Sequence, residues 1–323
     1  MNTRLITSSG IMAIAALCAA MCLCGYLWVP QLPATADFGI VLPSPDLWPL
    51  SPVWNEVLNA GLIAICAPAL YLINKHFSLL KSSLPFWALF YLPLMCANLM
   101  LSSHLTAAPV VLATLLPAIV AIFSSSRRRN ATRPIFFMAT CLAIGSLFQQ
   151  AFIPFVGAAF LSAIVVKAMR PKEFCAMGLG LIAVYWVLLG FGIVGIYDFH
   201  RPHLSTIFTT GVSREMFAVA VWSGVALLTA LILSLYNGIK LYAGNSQIRG
   251  YNNVVNIFGL TAAVAAMCDI DNMTAYLGVF NIWVALQFAN LFTLHTLHRP
   301  HWIFWLIQAV ILSFAVSLLF TSF

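Results

Sequence analysis

Apolar runs of roughly 20 residues recur along the whole of this sequence, each close to the length a helix needs to cross the hydrocarbon core of a bilayer. They cover residues 10–29, 57–74, 84–101, 105–123, 134–149, 151–168, 174–196, 216–236, 252–268, 273–294 and 302–321, with short charged or Pro/Asn-rich breaks between them. A backbone that cannot reach water must close its hydrogen bonds inside a helix or a sealed barrel. Runs of this length select the helix. Residues 134–168 stay open between two short tilted helices and one long kinked one, because only Gln149 and Gln150 part the two runs.

Composition removes the soluble alternative. Of 323 residues, 62% are hydrophobic and 7% charged, against about 25% charged in soluble domains. The expected fold is therefore all-α, a single polytopic transmembrane helix bundle over residues 1–323 with about eleven spans. Arg4 ahead of Ile11–Leu23, with Ala34-Thr35-Ala36 downstream, resembles a signal peptide. The cleavage-like site lies too far beyond the apolar core, so the segment reads as an uncleaved first helix.

Charge tests this parse independently, since hydrophobicity alone drew the spans. With the N-terminus inside, the inside segments and their borders hold Arg4, Lys75, Lys81, Arg127, Arg128, Arg129, Arg133, Lys167, Arg170, Lys172, Lys240, Arg249 and Arg299. Of the 15 Lys and Arg, only Arg201 and Arg214 fall outside. Of the 8 acids, only Glu173 falls inside. Lys and Arg resist translocation, so this alternation predicts a cytoplasmic N-terminus and an external C-terminus. The same rule accounts for the net charge of +7 without nucleic-acid binding, which is not expected.

Polar groups inside the spans are few. No charged side chain lies deep in one, which argues against an ion-coupled pump. Asn281, Gln287 and Asn290 share one span but not one helical stripe, and with Asn59 and Asn98 they are expected to fasten helices rather than line a path. Gly178, Gly180, Gly190, Gly192 and Gly195 are expected to permit close helix packing. The eight cysteines lack zinc or disulfide spacing and read as small buried apolar residues.

Three outer segments carry candidate chemistry. Loop 30–56, stiffened by six prolines, carries Asp37, Asp46 and Glu56, with Asp37 and Asp46 candidates for a general base or ligands of a divalent cation, the plainer alternative being a Pro-rich loop on the membrane with solvated acids. His200, Arg201 and His203 combine imidazoles and a guanidinium able to hold a phosphate, the plainer alternative being an Asp198–Arg201 pair at the headgroups. Asp269 and Asp271, followed by Asn272, form a candidate cation site or simply a polar turn. Inside, residues 124–130 are suited to anionic lipid, and His295, His298 and His301 cluster around the helix-breaking Pro300. There is no Walker loop, no Gly-rich dinucleotide fingerprint and no His-Glu-x-x-His.

Asn74-Lys-His-Phe77-Ser-Leu-Leu, Leu84-Pro85, Phe137 through Phe148, Arg170-Pro-Lys-Glu173-Phe and Gly178-Leu-Gly180 resemble an uncharacterised family of polytopic inner-membrane proteins from Bacteroidota, over residues 57–190 and more loosely beyond. The resemblance implies a bacterial inner membrane and carries over no catalytic residue. The layout is also similar to glycosyltransferases that use a polyprenyl-phosphate-linked sugar at the outer face. On that reading Asp37 or Asp46 is the base or metal ligand and Arg201 the phosphate clamp. The chain departs from such enzymes in lacking a large outer C-terminal domain and a clear paired-acid motif. The other expectation is a non-catalytic transporter, flippase or envelope-assembly subunit, with membrane lipids as partners. An outward cavity lined by Asp37 or Asp46 with Arg201 separates the two.

Overall fold

The computed structural model describes residues 8–28, 39–82, 84–126, 128, 130–200, 214–242, 245–270, 272–294 and 301–321. Asp37, Arg201, His203, Asp271 and the 295–300 cluster lie outside the described residues, as do the side chains of Trp28 and His301. The described residues form an all-α bundle: α1 (Ser8–Trp28), α2 (Pro52–Phe77), α3 (Phe86–Ala97), α4 (Leu99–Ser102), α5 (Ala107–Ser125), α6 (Thr132–Phe148), α7 (Phe152–Val165), α8 (Pro171–Gly190), α9 (Arg214–Tyr242), α10 (Ser246–Cys268), α11 (Met273–Thr293) and α12 (His301–Thr321). Short 3₁₀ turns at Pro45–Leu47 and Ile196–Asp198 punctuate the connections.

Among the described residues seven helices are long and apolar enough to cross a membrane: α1, α2, α5, α8, α9, α10 and α11. Helices α3, α6 and α7 and the Trp302–Leu318 stretch of α12 are apolar but shorter. The outward faces are apolar too. Trp186 and Phe191 at α8, and Leu228, Ile232, Leu235 and Ile239 on α9, are all exposed. Apolar exteriors of this extent have lipid as their natural solvent.

Local chemistry sets the helix ends. Ser51 caps α2, its hydroxyl accepting from the Trp54 N–H, and Pro52 takes the first helical position, where its missing N–H costs nothing. Asn245 caps α10 by accepting from the Gln247 N–H at 2.9 Å. The seventh expected run, 174–196, instead stops as a helix at Gly190, and Gly192 turns the chain with φ +65°. The run 84–101 is interrupted: Asn98 leaves helical geometry (φ −83°, ψ 91°) and parts α3 from α4. Residues 134–168 form two helices, α6 and α7, with Gln149–Ala151 between them.

Helix α11 is the axis of the bundle, 89% buried over its apolar window against 11% for α9. It packs on α3, α5, α9 and α10. Two glycines permit that closeness. A Cβ on Gly278 would sit 2.7 Å from the Ala108 carbonyl oxygen, and one on Gly259 would sit 2.2 Å from Cγ of Trp283. On α8 only part of the glycine expectation holds. Gly180 abuts the Phe136 carbonyl on α6, while Gly178 and Gly190 meet nothing within 4 Å among the described residues.

Amides fasten the axis to its neighbours, as their placement in the sequence suggested. Asn290 Nδ2 donates to Asn252 Oδ1 at 2.9 Å, Gln287 Nε2 to Asn256 Oδ1 at 2.9 Å, and Asn237 Nδ2 to the Gln287 carbonyl at 3.0 Å. Asn59 Nδ2 donates to the Leu101 carbonyl at 2.9 Å, tying α2 to α4.

Connections sort between two ends. At one, the Ile40 and Leu42 N–H groups donate to the Ser146 and Leu147 carbonyls, Asn55 Oδ1 accepts from the Leu105 N–H, and Gln149 Nε2 donates to Asn272 Oδ1. At the other, Phe77, Phe123 and Tyr251 cluster, and buried Glu173 accepts from the Ala131 N–H and the Thr132 hydroxyl, holding the start of α6. Asp46, Glu56, Asp198 and Asp269 belong to the first end; Lys75, Arg128, Lys167, Lys172 and Arg249 belong to the second. Helix α1 runs toward the acidic end, where Gly25 abuts Ser102. Helix α12 starts at the basic end, with Phe304 against Phe86 and Phe292.

Candidate functional site

Two of the expected outer segments meet through their backbones. The His200 N–H donates to the Ile40 carbonyl at 2.9 Å, which ties the segment bearing His200 to the segment that leads into Asp46 six residues later. Asp46 sits half-buried in the Pro45–Leu47 turn. Trp48 fixes the turn by donating from Nε1 to the Pro43 carbonyl at 3.3 Å and packing edge-on against Phe148. His200 is exposed, while the Asp198 carboxylate accepts from the Gly195 N–H at 2.7 Å.

Asp269 lies elsewhere on the same end, buried at the close of α10. Its Oδ2 accepts from Asn272 Nδ2 at 3.0 Å and from the Tyr276 hydroxyl at 3.3 Å. Asn272 in turn accepts from Gln149. The α6–α7 junction at Leu147–Gln149 therefore touches both the first loop and the Asp269 turn. Among the described residues no group of three or more His, Cys, Asp or Glu side chains is placed to hold a metal ion.

The feature that sequence reasoning did not foresee lies inside the apolar layer. Helices α3, α9, α11 and α12 enclose a cavity of about 120 Å³. Its walls are apolar: Leu94 and Ala97 of α3, Phe280 of α11, and the Trp222–Phe314 pair, whose ring centroids are 4.7 Å apart. Val225 on α9 and Val310 on α12 flank it, 49% and 50% exposed, so the cavity opens sideways on the lipid-facing surface between those helices.

The polar residues of the lining are Asn98, Asn281, Ser223 and Thr229, the Thr229 hydroxyl donating to the Ala226 carbonyl at 2.9 Å. Asn98 is only 5% exposed, and its Oδ1 accepts no hydrogen bond from the described residues. The residue sits where α3 breaks, and its own carbonyl is occupied by the Leu101 and Ser102 N–H groups. The break also strands the Leu94 carbonyl, whose partner four residues on would have been the Asn98 N–H. Asn281 Nδ2 donates to that carbonyl at 3.4 Å. Irregular backbone inside an apolar layer is tolerated where it is buried in protein or lines a cavity, and interrupted helices recur at the substrate sites of membrane proteins. A buried acceptor left unpaired costs about 1–3 kcal/mol. The cavity is thus suited to an apolar chain that carries a hydrogen-bond donor. Pro93, five residues before Asn98 in an apolar run, is the sequence signal that marks this stretch as irregular.

No known protein family, curated protein or solved structure matches the chain.

Proposed function

We propose that this chain is an eleven-span protein of a bacterial inner membrane, N-terminus in the cytoplasm and C-terminus outside, that handles a lipid or a lipid-linked glycan precursor. The observation that carries this reading is the cavity at the α3 break: apolar, opening toward lipid between Val225 and Val310, and presenting Asn98 Oδ1 without a partner. Eleven spans correspond to the seven long apolar helices and the four shorter ones. The sidedness rests on the basic end staying in the cytoplasm.

The hydrogen bond between His200 and Ile40 favours a transferase over a passive scaffold, because it joins the two outer segments that carry the candidate chemistry. In that reading the substrate is polyprenyl-phosphate-linked. Asp46 or Asp37 serves as base or as ligand of a divalent cation, with Asp269 and Asp271 a second candidate cation site. Arg201, flanked by His200 and His203, holds the phosphate, and a short segment of the lipid chain lies in the cavity. A flippase would use the same cavity without the acids.

The test is to identify the lipid that accompanies the purified protein by mass spectrometry. Enrichment of one lipid class over the bulk membrane, lost in Ala226→Trp, which fills the cavity, supports the reading. Bulk composition in both proteins contradicts it. Loss of an envelope-glycan phenotype in Asp46→Asn or Asp37→Asn, at unchanged protein level, then selects the transferase. A normal phenotype in both variants selects the flippase.

A further inference from the structure

At the opposite, basic end of the bundle we infer a second binding site, one for a phosphate group, in a two-lobed hollow between the ends of α2, α5, α7 and α10. The larger lobe has about 470 Å³ and the smaller about 160 Å³, and they share Ser126 and Gln247.

The lining has one sign of charge. Its charged residues are Arg128 at the larger lobe and Lys167 and Arg249 at the smaller, with His76 also lining the larger lobe. Ser78, Ser124 and Ser126 border the larger lobe, the Ser124 hydroxyl donating to the Val120 carbonyl at 2.7 Å, and Ser246 borders the smaller. Among the described residues no acidic side chain lines either lobe. Glu173, the acid of this end, is turned away into its contacts with Ala131, Thr132 and Lys172. A concave surface lined by residues that carry guanidinium, ammonium and hydroxyl groups attracts an anion and supplies donors that phosphate oxygens accept.

The hollow is also built rather than incidental. Its floor is the Phe77–Phe123–Tyr251 cluster, with centroids 5.2, 5.5 and 4.6 Å apart. Gln247 is held by its 2.6 Å hydrogen bond to the Tyr251 hydroxyl. The two non-glycine residues of positive φ among the described residues are Ser78 (φ 52°) and Lys167 (φ 59°). Each follows the end of a helix, where glycine adopts this conformation with less strain. Ser78 lines one lobe and Lys167 the other. The chain thus keeps a hydroxyl and an ammonium group at two strained positions, both bordering one cavity, which is the pattern of strain retained for a site. The inference stands apart from the lipid cavity at the α3 break.

The phosphate can belong to an anionic lipid headgroup at the membrane surface or to a soluble phosphorylated molecule. The full-length protein in neutral detergent is titrated with inorganic phosphate, with dihexanoyl phosphatidic acid and with dihexanoylglycerol, and binding is followed by calorimetry and by the shift in thermal unfolding. Phosphatidic acid is expected to bind and dihexanoylglycerol not to. Competition by inorganic phosphate at comparable concentration assigns a soluble source, and binding of phosphatidic acid alone assigns a headgroup. Lys167→Gln with Arg249→Gln is expected to weaken binding at least tenfold, and Lys81→Gln, a charge of the same end outside the hollow, to leave it unchanged. Lys167→Gly separates binding from folding: it relieves the positive φ, so thermal stability holds or rises while phosphate binding falls. The proposal is overturned if neither phosphate-bearing probe binds, if Lys81→Gln weakens binding as much as the double variant, or if Lys167→Gly binds like the parent protein.

Discussion

Gln308 on α12 donates from Nε2 to the Leu89 carbonyl on α3 at 3.1 Å, and that carbonyl is the one Pro93 leaves without a donor from its own helix. Proline lacks the N–H that would complete the turn begun four residues earlier. A buried amide from another helix replaces it, so two distant features of the sequence compensate one another across the bundle.

Gln308→Leu removes that donor and leaves a buried carbonyl unpaired. The expected cost is about 1–3 kcal/mol of stability, measured by unfolding in mixed micelles. Pro93→Ala in the same protein restores the N–H and should recover much of the loss. A double-mutant cycle showing purely additive effects would remove the proposed compensation.

Glycine tolerance should differ sharply between α10 and α8. Gly259→Ala places a methyl 2.2 Å from the Trp283 ring, which is held by a 2.8 Å bond to Asn256 Oδ1. Overpacking of this kind costs about 1–3 kcal/mol. Gly178→Ala meets nothing within 4 Å and should be neutral or stabilise by about 0.5–1 kcal/mol. Equal thermal shifts for the two variants would contradict the packing described for α10 and α11.

His104, in the connection between α4 and α5, is pushed below the ordinary histidine range by burial. Its ring lies beside the Ser103 hydroxyl, with Nδ1 2.8 Å from Oγ. The folded protein therefore takes up this proton less readily than the unfolded chain. The stability this group contributes is present in full above the unfolded value, about 6.5. It declines as pH falls from there and is lost once the lowered folded value is passed. His104→Gln should flatten the profile in that range. A variant with the same slope as the parent would assign the pH dependence elsewhere.

How much of this was legible in the sequence depends on which residues are asked. The helices, their order and their fastening by Asn59, Gln287 and Asn290 followed from hydropathy and from the cost of burying amides unpaired. The two-ended sorting of charge followed from translocation chemistry. What stayed hidden needs distance in space. Nothing in the order of residues places Gln308 against Leu89, or Val225 opposite Val310. Asn98 was visible as a polar residue within a run, but its role as a helix break emerged only with Pro93 and Asn281 around it. The glycines of α8 show the converse: a repeated small residue suggests close packing, yet contact is made only where a neighbouring helix is at hand, at Gly180. Asp46 and His200 were singled out by residue type, and the Ile40 bond that draws their segments together is a backbone contact with no side-chain signature.

The most direct test of the lipid-handling account places a photoreactive benzoylphenylalanine at Thr229, which lines the cavity, and in a separate protein at Ile232, 66% exposed on the outer face of α9. Both are irradiated in the native membrane and the cross-linked lipid is identified by mass spectrometry. The account predicts one lipid class at Thr229, lost on adding Ala226→Trp, and the bulk membrane mixture at Ile232. The same mixture at both positions, or no lipid at Thr229, would contradict it.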